Sequence, residues 1–233
     1  LSERIPAGVL GDFELQQATR EVAPLRARLK TLEPPEYKEI DVSLGGQTIG
    51  GKVLVSNGAA VAVYSGKSPA TSFFGFWVQH VFWNLAYYRC ADPDSDNAGA
   101  DGRQSLLVGK DKVWTLPCLT EALAEQYAER LLTVFESLSV RPTMFLPKTA
   151  FAMLFGSASA ANTSFYGAGG NYGSVGESQD FYWRRACLFG QIDTDSESPL
   201  RSPINPDHLP EFLSHDIALQ VSAHVEEIKE LSR

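Results

Sequence analysis

The sequence is poor in the residues that most often announce chemistry. Three cysteines in 233 residues, Cys90, Cys118 and Cys187, are too few and too scattered for a disulfide framework or a four-cysteine zinc site. They read as reduced thiols of a cytoplasmic protein. Basic residues are in deficit: 20 Lys and Arg stand against 28 Asp and Glu, a formal charge of −8. That balance argues against tight, autonomous nucleic-acid binding, which needs a net basic footprint. No apolar run approaches the roughly 18 residues of a membrane span. The strongest one, Phe73–Val78, is followed at once by Gln79 and His80. Glu3, Arg4 and Asp12 near the start are unlike a signal peptide. What is present is a globular composition, 44% hydrophobic and 21% charged, ample for a packed core and unlike a disordered chain.

Familiar site motifs are also missing. Gly66-Lys67-Ser68 lies between a strand and a helix, but a phosphate-binding loop needs a further glycine where Val61 stands. Asp92, Asp94 and Asp96 have calcium-loop spacing, yet Asn97 and Arg103 occupy the positions that need Gly and a bidentate Glu. The four histidines form no metal-type pair, and His80 on an apolar helix reads as a core residue. Gly167–Gly176 fails as a dinucleotide fingerprint because Tyr172 takes the place of its third glycine. No metal or cofactor is expected.

Periodicity supplies the organisation. A helix is predicted over 12–31, kinked or divided at Pro24 and stopped by Pro34-Pro35. Ile40–Leu44, Thr48–Val55 and Val61–Tyr64 read as three antiparallel strands turning at Gly45-Gly46 and Asn57-Gly58. Ser68-Pro69 opens a helix that is apolar nearly all round, as a helix buried on several sides must be. A hairpin, Leu106–Val108 and Val113–Leu116, turns at Lys110-Asp111 and precedes a helix over 120–138. Phe145–Phe155 begins extended and becomes helical after Pro147. Residues 156–179, rich in Gly, Ser, Ala and Asn, read as a long loop carrying Phe165, Tyr166 and Tyr172. Phe181–Phe189 follows, then a polar loop, then a final helix near Pro210–Leu231.

This order of elements resembles the restriction-endonuclease-like (PD-(D/E)xK nuclease-like) fold, an α/β fold with a mixed central sheet flanked by helices. Five stretches narrow the likeness: Ile5–Gly11, Ile49-Gly50-Gly51-Lys52, Leu107–Leu116, Phe145-Leu146-Pro147-Lys148-Thr149 and Asp180–Arg184. Each is weak alone, but in colinear order they resemble the C-terminal domain family of RecC, the gamma subunit of exodeoxyribonuclease V. The resemblance implies one domain over 1–233. The sequence begins at Leu1 rather than Met, which reads as a processed chain or a fragment, and the resemblance implies a C-terminal fragment of a longer subunit.

Active relatives of this fold carry a metal-binding Asp on the second strand, then an acid and a Lys two positions apart on the third. Carboxylates hold the divalent ion that generates hydroxide, and the Lys stabilises charge in the transition state. Matching the strands places Leu54, Tyr64 and Gly66 at those positions, and none of them can do this work. Gln47–Lys67 contains no Asp or Glu, so a slip of register restores nothing. The resemblance therefore implies a nuclease fold with its catalytic residues absent. It implies a scaffold and DNA-handling domain that docks RecB-like and RecD-like helicase subunits in double-strand-break repair. Phe165, Tyr166 and Tyr172 are candidate partner or DNA contacts, or else they pin the loop to the domain's own surface. The alternative is an active metal-dependent nuclease using carboxylates outside the meander, among them Asp41, Asp92 and Asp180.

Overall fold

The computed structural model describes residues 9–66, 68–90, 103–138, 145–167, 176–177 and 216–232. Asp92–Gly102, Lys67, Tyr172, Phe181–Phe189 and Pro210–His215 lie outside the described residues. Five strands, β1 (Glu36–Leu44), β2 (Gln47–Ser56), β3 (Ala59–Val63), β4 (Ser105–Val108) and β5 (Val113–Leu116), form one sheet in sequential order. Three neighbouring pairs are antiparallel, while β3 and β4 run parallel. A parallel neighbour requires a crossover, supplied here by α2 (Ala70–Cys90). The molecule is thus α/β with a mixed sheet flanked by helices.

Turn chemistry fixes the meander. Gly45 and Gly46 have φ of 57° and 79°, and Asn57 and Gly58 have 49° and 77°. Two successive positive φ values belong to the type I′ turn, whose twist matches that of the flanking strands. Register then decides which side chains share a face. Val42, Leu44, Val53, Val55, Ala60, Leu107, Trp114 and Leu116 point to the α2 side and build the main core with Phe73, Trp77, Val81 and Leu85. Val61 and Val108 point to the opposite side, where Leu25 of α1 (Val9–Leu29) covers them.

α1 is not divided at Pro24, so of the two outcomes expected from sequence, a kink or a break, the break does not occur. Pro24 sits inside one helix that runs from Val9 to Leu29. Proline removes one backbone donor, and residues 16–24 are exposed, so water satisfies the carbonyl left without a partner. At the start of α2, Ser68 Oγ accepts from Ala70 N at 3.3 Å, the cap that the Ser-Pro pair predicts.

α3 (Glu121–Leu138) packs along α2, and α4 (Pro147–Phe155) closes an aromatic cluster. The Phe73 ring lies 5.3 Å from Phe151, 5.1 Å from Phe155 and 5.7 Å from Trp114, all edge-on. The predicted loop over 156–179 is corrected in part: α5 spans Ala158–Tyr166. Ser157 Oγ accepts from Ala160 N at 3.1 Å, and Gly167, at φ 89°, ends the helix. Its alanines favour helix, but small residues give no apolar period to read. The predicted final helix is two shorter ones, α6 (Asp216–Ser222) and α7 (Val225–Leu231), parted at Ala223-His224. Ala218, Val221 and Ile228 are fully buried in the main core.

Candidate functional site

The place to examine is the end of β3, where the resemblance puts catalytic groups. Val55 of β2 pairs with Ala60 of β3 and shares its face. Strand alternation then sets Tyr64 on the α2 face with Ala60 and Ala62, and Leu54 on the opposite face. The structure therefore does not bring Leu54 and Tyr64 together. Leu54 is half-buried and pairs across β1 with Tyr37. Gly66 is exposed beyond the strand.

Tyr64 is integrated into the core. Its N–H donates to Val108 O at 3.0 Å, prolonging the β3–β4 ladder by one residue. Its ring lies against Gly109, where an added Cβ would stand 2.2 Å from Tyr64 Cζ and 2.4 Å from the hydroxyl oxygen. Gly109 has no positive φ, so it is glycine for space alone. Tyr64 is 8% exposed, and the residue at this position serves packing.

Of the alternative carboxylates, Asp41 is exposed on β1, on the same face as Leu54. Its Oδ1 would meet a Cβ at Gly50 at 2.7 Å, so Gly50 makes room for it. Asp92 and Asp180 lie outside the described residues. Among the described residues no three His, Cys, Asp or Glu side chains gather where they could hold a metal ion. Lys52, in the Gly-Gly-Lys stretch of β2, pairs with Glu39 at 3.0 Å on the surface.

Behind the sheet runs a buried polar chain that sequence reasoning did not foresee. His80 Nδ1 lies 2.8 Å from Ser105 Oγ and 3.2 Å from Asn84 Nδ2. Asn84 Oδ1 accepts from Leu119 N at 3.2 Å. Burial, helped by the charge of nearby His224 and only partly opposed by the Pro117 carbonyl, lowers the His80 pKa to about 3. A Ser–His contact can serve nucleophilic catalysis, but this one is wholly buried and holds a neutral imidazole in the core. One helical turn away, Trp77 Nε1 donates to Gln220 Oε1 at 3.0 Å, and Gln220 Nε2 donates to Tyr127 O at 3.2 Å. This second chain ties α6 to α2 and α3.

On the other face, α1 meets the β4–β5 turn through one arginine. Arg28 Nε donates to Lys110 O at 3.2 Å, and Nη2 donates to Asp111 O at 2.9 Å. A cleft of about 550 Å³ lies between Pro24, Leu32, Leu106 and Val113. The Lys110-Asp111 turn was legible as a turn, but its arginine clasp was not, since the two are some 82 residues apart in sequence.

Phe165 is 4% exposed, held inside the domain by α5. Tyr166 ends that helix, and Tyr172 lies outside the described residues. No described helix is long and apolar enough to cross a membrane. No curated protein matches the chain. A family model, the RecC C-terminal domain, matches residues 1–157, which takes in the whole sheet, α2, α3 and α4. The chain belongs to the RecC C-terminal domain family, and this membership places it with the subunits of RecBCD, the hydrolase complex exodeoxyribonuclease V.

Proposed function

We propose that the chain is a nuclease-like domain without nuclease chemistry, a scaffold and DNA-handling part of the gamma subunit of exodeoxyribonuclease V. In this reading residues 1–233 form one restriction-endonuclease-like domain. It docks RecB-like and RecD-like helicase subunits in the cytoplasm and helps split or guide DNA strands during recombinational repair of double-strand breaks.

One observation carries the reading. The strand position that would need a carboxylate holds Tyr64, whose ring is packed over Gly109 and nearly closed to solvent. A hard divalent cation needs oxygen ligands facing a wet, open position. A phenol packed in the core offers neither a carboxylate nor an open position, and the meander from Gln47 to Lys67 holds no acidic residue to replace it. Leu54, Tyr64 and Gly66 are accordingly proposed as vestigial positions. Of the three candidate aromatics, Tyr166 and Tyr172 are proposed as the partner or DNA contacts. The burial of Phe165 assigns it to anchoring the helix that carries Tyr166.

Three measurements test this. The chain should copurify with helicase subunits of its own complex. Alone, it should not cleave linear duplex DNA with magnesium or manganese, and cleavage abolished by EDTA would falsify the reading. With a charge of −8, the isolated domain should bind duplex no better than the non-specific range of ~10⁻⁴ to 10⁻⁶ M, with steep salt dependence.

A further inference from the structure

The face of the sheet away from α2 is covered by part of one helix. Leu25 of α1 is buried against Val61 and Val108, and Leu29 and, just past the helix, Leu32 pack beside it. Residues 16–24 of the same helix are exposed. Beside α1, over β4 and the edge strand β5, lies the cleft of about 550 Å³. Its floor is aliphatic, and Leu32, Leu106 and Val113 are only half-buried in it. Apolar surface continues on this side of the sheet: Val22 of α1 is 50% exposed, and Val63, which shares the face of Val61, is 43% exposed.

The charge of the lining has one sign. Among the described residues that form it are two cations, Arg28 and Lys110, and neither a carboxylate nor an aromatic ring. Neither cation forms an ion pair among the described residues. Arg28 directs its donors to the carbonyls of Lys110 and Asp111, which leaves its charge without a counter-ion. Glu21 on α1 and Asp111 in the turn are exposed and lie outside the lining. A chain with 28 acids against 20 bases thus presents here an aliphatic groove edged with positive charge. That chemistry selects among occupants. A nucleic acid needs rings on which bases can stack and a run of cations for its phosphates, and the lining has no ring and two cations. A second copy related by a two-fold axis would set the same cations against each other. Aliphatic side chains flanked by carboxylates satisfy both the floor and the cations, and an acidic amphipathic stretch of protein carries them together.

We infer that the cleft between α1 and the β4–β5 hairpin docks an acidic amphipathic segment of a partner protein, with aliphatic side chains over Leu106 and Val113 and carboxylates on Arg28 and Lys110. This docking site rests on the role proposed above only in taking that partner to be a helicase subunit. The character of the segment follows from the cleft itself.

The experiment uses the whole chain in cells that make the rest of its complex. Thr31, exposed and lining the cleft, is replaced by the photocrosslinking residue p-benzoylphenylalanine, and Thr133, exposed on α3, takes the same probe as a control. If the Thr31 variant melts below wild type, Ala27, exposed in the same lining, carries the probe instead. Mass spectrometry then identifies the captured peptide. The cleft probe should capture a partner segment in which Asp or Glu flanks Leu, Ile or Val, and the Thr133 probe should not. Lys110→Glu should lower the yield of that crosslink about tenfold, because like charges then face each other, and exchanging the segment's acids for lysine should restore most of it. Capture of such a segment on a helicase subunit supports both the cleft and the docking role. The same chemistry on another protein keeps the cleft and removes helicase docking. Copurification with helicase subunits but no capture at the cleft keeps the docking role and overturns this site. Crosslinks to DNA, to a second copy, to the chain's own residues or to a segment without acids overturn it too. So does a Lys110→Glu variant that crosslinks as well as wild type.

Discussion

Gly109→Ala tests whether Tyr64 is packing rather than a displaced catalytic position. The new Cβ would stand 2.2–2.4 Å from three atoms of the Tyr64 ring, far inside contact distance. The ring is rigid and 8% exposed, so relief must come from moving it or the β4–β5 turn. Overpacking of this kind costs about 1–3 kcal/mol. Alanine also stiffens the unfolded chain, which returns about 0.4–1 kcal/mol. The net loss is then about 1–2 kcal/mol, a fall in Tm of roughly 2–8 °C for a domain of this size. Because φ at Gly109 is not positive, no backbone strain is added. The clash should therefore vanish once the ring is gone. In a Tyr64→Ala background, itself destabilised by about 3–5 kcal/mol, Gly109→Ala should be neutral or stabilising, since its methyl enters the cavity. Urea unfolding of the four proteins, with equal m values, gives the coupling energy, expected at about 1 kcal/mol or more. A cost of Gly109→Ala that is the same in both backgrounds would refute the packing role.

Three further outcomes follow from the buried groups. Above pH 6.5 His80 is neutral in both folded and unfolded states; below it the unfolded chain takes a proton that the folded state refuses until about pH 3. Stability should thus be flat in this respect above pH 6.5 and fall by up to about 1.4 kcal/mol per pH unit below it. His80→Gln should flatten that fall, and parallel wild-type and variant curves between pH 6.5 and 4 would exclude it. Gln220→Leu leaves the buried Trp77 Nε1 without a partner and should cost about 1–3 kcal/mol in chemical denaturation. A change under about 0.5 kcal/mol would show that the chain from α2 to α6 is not needed. Phe165→Ala should lower stability by about 3 kcal/mol, read from the same unfolding curves. A variant as stable as wild type would remove its anchoring role and return it to the candidate contacts.

Much of the sheet was legible because its turns admit few residues. Gly45-Gly46 and Asn57-Gly58 supply successive positive φ values at little steric cost, and each fixes a register. The same register contained a fact that a match of glycine and apolar pattern passed over. A two-residue turn at 57–58 pairs Val55 with Ala60, so counting outward puts Leu54 with Val61 and Tyr64 with Ala60 and Ala62. Parity alone therefore separates the two supposed site positions. α2 was legible from its Ser-Pro start and its apolar surround, whereas α5 was not. Ala, Ser and Asn carry no amphipathic stripe, and among its described side chains Phe165 and Ala161 are the buried ones. Whether Pro24 divides its helix was not legible, because the cost depends on whether water can reach the freed carbonyl, a property of the folded surface. Glu177, which accepts from Thr149 N at the start of α4, and Gln220 act on partners 28 and 143 residues away, and no local pattern encodes such contacts.

The family match ends at residue 157, but the fold does not. Ala218, Val221 and Ile228 have no exposed surface, and Ser232 Oγ accepts from Thr115 N at 2.9 Å. That last bond occupies a donor of β5, an edge strand of the sheet. At the other edge, Arg89 Nη1 donates to Ser43 O of β1, and Glu36, Lys38, Glu39 and Asp41 stud the rest of that strand. Charges and covered backbone groups are how sheets resist pairing with a foreign strand. A partner seeking to extend this sheet would have to displace Ser232 and with it α7, or match a row of mixed charge on β1. Residues 216–232 therefore do two things at once: they complete the core beneath α2 and they close one edge. A chain cut after residue 157 would retain every strand of the family-matched part but expose Trp77, Tyr127 and the open side of β5. Its far-ultraviolet spectrum should keep strand and helix signal while cooperative unfolding is lost, and a sharp transition in that fragment would show that the C-terminal helices are dispensable.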